Sequence, residues 1–170
     1  DHLYGSTVLV DHVKQFDLDN FVVVAPDVGA LPMVRDYAQR LGVNLALIDK
    51  RRPRQNEARV MNIIGEVEDR NVIIIDDIVD TAGTLTRAAT AIRERGALDI
   101  YAACTHGLLS GPAYDRIEAS PIEELIITDT IPLKRPSESI EVVSVSNLFA
   151  QAIRHIYTDR SVSTLFKTTA

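Results

Sequence analysis

The residues with the clearest capacity for chemistry lie in Val72-Ile73-Ile74-Ile75-Asp76-Asp77-Ile78-Val79-Asp80-Thr81-Ala82-Gly83-Thr84. Four aliphatics predict a buried strand that ends in two carboxylates, and a loop of small and hydroxyl residues then opens a helix. Backbone N–H groups in such a loop, with the helix N-terminus behind them, make an anion site. Thr81 and Thr84 add hydroxyl donors, while Ala82 and Gly83 let a phosphate come close to the backbone. Asp76 and Asp77 suit the vicinal hydroxyls of a sugar attached to that phosphate, because carboxylates repel the phosphate itself. Helix capping by Asp80 and Thr81 would explain one such residue but not the adjacent carboxylates. The chain has no G-x-x-x-x-G-K-[ST] sequence, so this is not a P-loop.

A second cluster is basic. Lys50-Arg51-Arg52-Pro53-Arg54 follows the apolar run Leu45–Ile48, and four of its five residues are cations. Pro53 resists regular structure there. Such a run is either a solvated loop or a set of charges for an anionic ligand. Cys104 ends the apolar run that starts at Ile100 and reads as a small buried hydrophobe. His106, two residues on, would tend to share its strand face; a buried structural Cys is nevertheless the preferred reading over a nucleophile–base pair, and His106 is expected to position the glycine-containing turn after it.

These groups need a scaffold that presents strand ends. Phe21–Ala25, Leu45–Ile48 and Val72–Ile75 are short and continuously apolar, as buried parallel strands are. Ile100–Cys104, Leu125–Ile127 and Val142–Val145 are weaker versions, and Val60–Ile64 reads as an extra strand or a flap. Between them, Val34, Tyr37, Ala38 and Leu41 keep helical spacing with Gly42 as a C-terminal cap, and Leu85, Ala88, Ala89 and Ile92 repeat it before Gly96. Ser146 is placed to cap a last helix with Phe149, Ile153 and Ile156 on one face. The alternation predicts an α/β fold, a mainly parallel sheet with helices on both faces, as one domain over residues 1–170.

Composition narrows the function classes. The 170 residues are 46% hydrophobic, with 18 Lys+Arg against 24 Asp+Glu, a net charge of −6. That balance argues against a sequence-independent nucleic-acid grip. One cysteine excludes an internal disulfide framework and a cysteine-rich zinc site. No apolar run approaches the ~18 residues of a membrane helix, and the first residues lack the pattern of a signal peptide. The expectation is a cytoplasmic protein with no membrane partner. The absent initiator Met suggests a start in mid-protein.

The acidic stretch resembles the phosphoribosyl-pyrophosphate (PRPP) loop of the type I phosphoribosyltransferase fold. Val24–Gly29, Ile48–Arg54, Thr105–Ala113 and Ser161–Phe166 are similar, in the same order, to the ribose-phosphate pyrophosphokinase (PRPP synthase) family. The likeness runs from residue 1 to about 166. It implies the C-terminal half of a two-domain enzyme whose N-terminal half is absent here. The implied reaction transfers pyrophosphate from MgATP to ribose 5-phosphate, giving PRPP and AMP for nucleotide biosynthesis. Asp76, Asp77, Asp80, Thr81, Ala82, Gly83 and Thr84 match the ribose 5-phosphate loop, and Lys50 and Arg52 match the catalytic Lys and Arg. Asp27 matches a ligand of the cofactor Mg²⁺, although a turn-forming role is its plain alternative. Ser161 and Ser163 match serines of a regulatory site for phosphate or ADP between subunits.

The family commonly has a second glycine where this chain has Ala30, which would hinder a positive φ or a close phosphate approach there. The resemblance also implies a homo-oligomer, a hexamer at full length, and a fragment of little or no activity alone. A PRPP-consuming phosphoribosyltransferase and a non-catalytic, synthase-associated regulatory subunit are the alternatives.

Overall fold

Seven strands form one sheet in the order β3-β2-β1-β4-β5-β6-β7. They are β1 (Phe21–Ala25), β2 (Asn44–Lys50), β3 (Met61–Ile64), β4 (Asn71–Val79), β5 (Ile100–Gly107), β6 (Glu124–Thr128) and β7 (Ile140–Val143). The computed structural model describes residues 2–17, 19–50 and 61–166, with Lys50 and Met61 described by their backbones. Every pairing is parallel except β2 with β3, which is antiparallel through Leu47↔Ile64 and Lys50↔Met61. Val60–Ile64 is thus resolved from its two readings: Met61–Ile64 is an edge strand.

Helices α1 (Ser6–Val13), α2 (Leu31–Leu41), α3 (Gly83–Glu94), α4 (Ala113–Glu118) and α5 (Ser146–Tyr157) cover the sheet. Side chains alternate along each strand, so two apolar layers form. Val22, Val24, Ile74 and Cys104 meet α3 and α4 on one face, through Leu85, Ala88, Ile92 and Ile117. Val23, Ile73, Ile75 and Ala103 meet α1 and α2 on the other, through Leu9, Val13, Val34 and Tyr37. Each fully buried aliphatic contributes about 1.5–3 kcal/mol, which is why runs without a single polar residue became central strands. The mainly parallel α/β architecture is as expected.

Helix ends show where local signals sufficed and where they did not. Gly42 closes α2 in the left-handed conformation (φ 71°), its N–H donating to the Ala38 carbonyl. The start of α5 differs from expectation, because Ser146 is its first helical residue rather than its cap. The Ser146 N–H donates to Ser144 Oγ at 3.2 Å, and Asp129 accepts from Ser144 Oγ at 2.6 Å and from the Val145 N–H at 2.8 Å. Those bonds, the Ser144 hydroxyl first, hold the Asp129 carboxyl below its ordinary pKa. Their use of Ser144 and Val145 also ends β7 at Val143, earlier than the run Val142–Val145 suggests. On α5, Leu148 and Ala152 face inward, whereas Phe149, Ile153 and Ile156 are exposed. Among the described residues, no helix is long and apolar enough to cross a membrane.

Candidate active site

The strand order reverses direction between β1 and β4: the chain leaves β1 towards β2 on one side and returns to β4 on the other. In an open α/β sheet, that switch point opens a crevice at the carboxyl ends of the strands where ligands bind. Val24 is in register with Ile74, so Asp27 and Asp77 each lie three residues beyond a paired position. Asp27 follows the end of β1, and Asp76 and Asp77 lie on the last turns of pleat in β4. Lys50 ends β2, the neighbour of β1 on its other side, so the basic run begins at the same edge of the sheet. Arg52 lies outside the described residues.

β4 runs through Val79, so Asp76 and Asp77 are strand residues rather than loop residues. A pleated backbone sends neighbouring side chains to opposite faces, which gives the two carboxylates different surroundings. Asp76 is half-buried, whereas Asp77 is exposed. Asp76 Oδ1 accepts from the Asp77 N–H at 2.9 Å. Burial pushes the Asp76 carboxyl up to about 6; the charges of Asp77 and Asp27 add to the rise, while the Asp77 N–H opposes it. Three carboxylates therefore sense one another across the switch point.

This pKa carries a stability prediction. A carboxyl whose folded pKa (about 6) exceeds its unfolded value (3.8) stabilises the fold fully below pH 3.8. The contribution is lost as pH rises through about 6, because the folded state resists giving up the proton. Asp76→Asn, a permanent stand-in for the protonated form, is expected to raise stability at pH 8 and to leave it almost unchanged at pH 4. The partial exposure of Asp76 limits the gain to on the order of 1 kcal/mol. Thermal melts of both proteins at the two pH values measure it, and an equal shift at both would contradict the assignment.

Beyond Val79 the loop turns through Asp80 and Thr81 to Ala82, which begins α3 in the left-handed region (φ 58°, ψ 2°). The N-cap is Ala82 rather than Asp80 or Thr81, and it makes no side-chain cap hydrogen bond. Ala82 is buried in the layer under α3, so its methyl is a core anchor while its N–H stays with the loop. Gly83 and Thr84 are half-buried in the first turn. The loop is braced from the segment after β5: the Leu109 and Ser110 N–H groups donate to the Val79 and Asp80 carbonyls at 3.1 and 2.9 Å.

Asp27 Oδ1 accepts from the Ala30 N–H at 3.2 Å and so turns the chain into α2. Ala30 sits at φ −76°, ψ −15°, an ordinary right-handed conformation, so alanine in place of a glycine introduces no strain there. Cys104 is fully buried and its thiol is pushed up to about 12, chiefly by burial, with Asp76 adding to the rise. That leaves it no thiolate for nucleophilic work. The ring of His106 does not hold the following turn: its Nδ1 lies 2.9 Å from Thr130 Oγ1, and the Leu108 N–H instead donates to the His106 carbonyl. Both Thr128 and Thr130 hydroxyls point at the Thr105 carbonyl, at 2.7 and 3.1 Å. The His106 ring, through Nδ1, is thereby tied to the same Thr128–Thr130 hydroxyl pair that holds the Thr105 carbonyl.

Two features had no signal in the residue pattern. Arg116 of α4 donates from Nη1 to the Thr81 carbonyl at 2.9 Å, across 35 residues. Beside the acidic edge, a cavity of about 770 Å³ is lined by Tyr4, Arg40, Asp77, His106, Phe149 and Phe166 among others. Ser161 and Ser163 lie at a short 3-10 turn (Val162–Leu165), with Oγ atoms 2.6 Å apart and the Ser163 N–H donating to Ser161 Oγ.

A profile of the phosphoribosyl synthetase-associated domain matches residues 52–167. A ribose-phosphate pyrophosphokinase of Chlorobaculum tepidum is 53% identical over 168 residues, covering 98% of this chain and 52% of its own length. Another, from Caldanaerobacter subterraneus subsp. tengcongensis, is 50% identical over 169 residues, covering 98% and 54%. The chain thus spans about half the length of the curated relatives it matches. Phosphoribosylpyrophosphate synthetase from Mycobacterium smegmatis superposes with a TM-score of 0.85 at 32% identity, over 94% of this chain and 52% of that one. An orotate phosphoribosyltransferase from Aeropyrum pernix, at 15% identity and a TM-score of 0.55 over 87% and 75% of the chains, shares the fold. The profile spans well over half of the residues and the fold is that of the type I phosphoribosyltransferases, so the chain belongs to the phosphoribosyl synthetase-associated domain family.

Proposed function

We propose that the chain is the C-terminal half of a ribose-phosphate pyrophosphokinase and carries its ribose 5-phosphate loop and its catalytic Lys/Arg loop. The observation that carries this reading is the meeting of Asp27, Asp76 and Asp77 at the switch point, directly before the left-handed turn into α3. In this reading the 5-phosphate lies against the loop N–H groups and the Thr81 and Thr84 hydroxyls, at the positive end of the α3 dipole. Asp76 and Asp77 accept from the ribose 2- and 3-hydroxyls, which fixes the anomeric carbon at the far side of the sugar.

The anomeric oxygen then attacks the β-phosphorus of ATP in line. The new O1–Pβ bond forms as the bond from Pβ to the α–β bridging oxygen breaks, AMP departs with that oxygen, and the anomeric proton passes to solvent. Transfers of this kind depend on position and charge neutralisation more than on covalent help from the protein. Lys50 and Arg52 supply positive charge to the transferring group. Asp27 fits Mg²⁺, which takes one or two carboxylates and completes its shell with substrate oxygens and water. When bound, Mg²⁺ withdraws charge from the ATP phosphates. Ser161 and Ser163 belong, in the same reading, to an effector site for phosphate or ADP in a homo-oligomeric enzyme.

The test is AMP and PRPP formation from MgATP and ribose 5-phosphate, with inorganic phosphate present, by a protein of the relatives' full length. The 170-residue chain alone is expected to bind ribose 5-phosphate weakly and to turn over slowly or not at all. Pyrophosphate release from PRPP that depends on a nucleobase, without AMP formation, would replace this reading with that of a phosphoribosyltransferase.

A further inference from the structure

The charge around the phosphate loop is not supplied by the loop itself. An added Cβ at Gly83 would meet Arg116 Nη1 at 3.1 Å and Arg87 Nη1 at 3.3 Å, so one guanidinium from α4 and one from α3 itself converge on the first residue of α3, directly after the loop. Among the described residues neither is ion-paired: the carboxylates near α4, Asp115 and Glu118, are taken by Arg135. Like charges brought together without a carboxylate between them raise the local potential and favour an anion.

The two arginines do different things. Arg116 Nη1 donates to the Thr81 carbonyl, whereas Arg87 makes no hydrogen bond to the loop among the described residues. The peptide joining Thr81 to Ala82 is trans, and in a trans peptide the C=O and the following N–H point in opposite directions. Gripping the Thr81 oxygen from the α4 side therefore aims the Ala82 N–H away from α4. On its other side that N–H belongs to a residue whose methyl is locked in the core and whose φ is positive, a strained conformation for a residue with a Cβ that is held only where neighbours over-determine it. The Arg116 bond and the buried methyl restrain it on the N-terminal side, while the Thr86 N–H and Oγ1 both donate to the Ala82 carbonyl at 2.9 Å on the other.

We infer that Arg116 is a positioning residue for the phosphate loop: it fixes the Thr81–Ala82 peptide so that the Ala82 N–H is presented to the 5-phosphate, while Arg87 contributes charge alone. This rests on the proposal that the loop binds ribose 5-phosphate. Removing one preorganised donor and one nearby charge is expected to cost about tenfold in affinity, and removing a charge alone about threefold.

The test titrates the 170-residue chain and the variants Arg116→Gln, Arg116→Lys and Arg87→Gln with ribose 5-phosphate and, separately, inorganic phosphate. Calorimetry gives the affinity, amide NMR reads the Ala82 N–H, and a thermal melt checks the fold. Arg116→Gln should weaken both ligands about tenfold and abolish the ligand-induced shift of the Ala82 amide, with a melting point near that of the unmodified chain. Arg116→Lys, which keeps the charge and a donor, should recover part of both. Arg87→Gln should weaken binding about threefold, keep the Ala82 shift, and lose its difference from the unmodified chain at high salt. The inference is overturned if Arg116→Gln binds as the unmodified chain does, or if its Ala82 amide still responds fully to ligand. It is equally overturned if Arg116→Gln and Arg87→Gln lose the same affinity with the same salt dependence. If the unmodified chain binds neither ligand, the phosphate-loop reading itself fails and the inference falls with it.

Discussion

Asp76→Ala combined with Asp77→Ala is expected to weaken ribose 5-phosphate binding by at least about 100-fold without lowering the melting temperature. Each carboxylate offers charge-assisted acceptance to a sugar hydroxyl, worth about 1.5–3 kcal/mol per bond. Losing both leaves the phosphate contacts of the loop to hold the ligand alone. The fold should not suffer, because the two carboxylates repel each other and Asp27, and Asp76 is already held short of full ionisation near neutral pH. Inorganic phosphate, which has no vicinal hydroxyls, serves as the internal comparison and should bind the double variant at least as well as the unmodified chain. Titration of both ligands measures the effect. A parallel loss for phosphate and ribose 5-phosphate would place the carboxylates in support of the loop rather than on the sugar.

Lys50→Ala, in a protein of the relatives' full length, is expected to lower the rate of pyrophosphoryl transfer by about 10²–10³-fold while changing ribose 5-phosphate affinity less than about threefold. Preorganised charge at the transferring group acts mainly in the transition state, and loss of one such donor typically costs that much in kcat. Arg52→Ala should do the same, because both belong to the basic run that starts from the end of β2. In the proposed reading ribose 5-phosphate, by contrast, binds at β4 and α3, and β4 lies on the opposite side of β1 from β2. Rapid-quench measurement of AMP formation, alongside a binding titration, separates the two effects. Unchanged turnover in Lys50→Ala would remove the basic run from the chemistry and favour a regulatory subunit.

These two predictions draw on different kinds of information. Sequence pattern was enough for the central strands, because Phe21–Ala25 and Val72–Ile75 have no polar residue to spend on a solvent face and must be buried on both sides. It was enough for α2 and α3 as well, where spacing selected Val34, Tyr37, Leu85, Ala88, Ala89 and Ile92 as the residues that are now buried. It fell short on α5, where it placed Phe149, Ile153 and Ile156 on one face of a helix, as they are, without telling that this face is exposed: periodicity reports that a face is apolar, not that anything covers it. It failed also at Ser146, because which of two nearby serines caps a helix depends on where Asp129 arrives from β6.

Local chemistry determined what the acidic strand end has to offer: two carboxylates beside a run of small and hydroxyl residues suit a sugar phosphate, since those side-chain types define the interactions available. Tertiary structure decided what stands beside that strand end. The sheet order put Asp27, 49 residues earlier than Asp76, at the same switch point, and register is a property of paired strands that no single segment contains. It also carried the Asp pair into β4 itself, splitting their environments: Asp76 is half-buried and its carboxyl is pushed up to about 6, while Asp77 is exposed. Arg116 owes its bond to Thr81 to the packing of α4 against α3, a contact between residues 35 positions apart with no shared motif. Side-chain chemistry is local and can be read along the chain; desolvation, register and convergence arise between segments, and only the folded chain sets them.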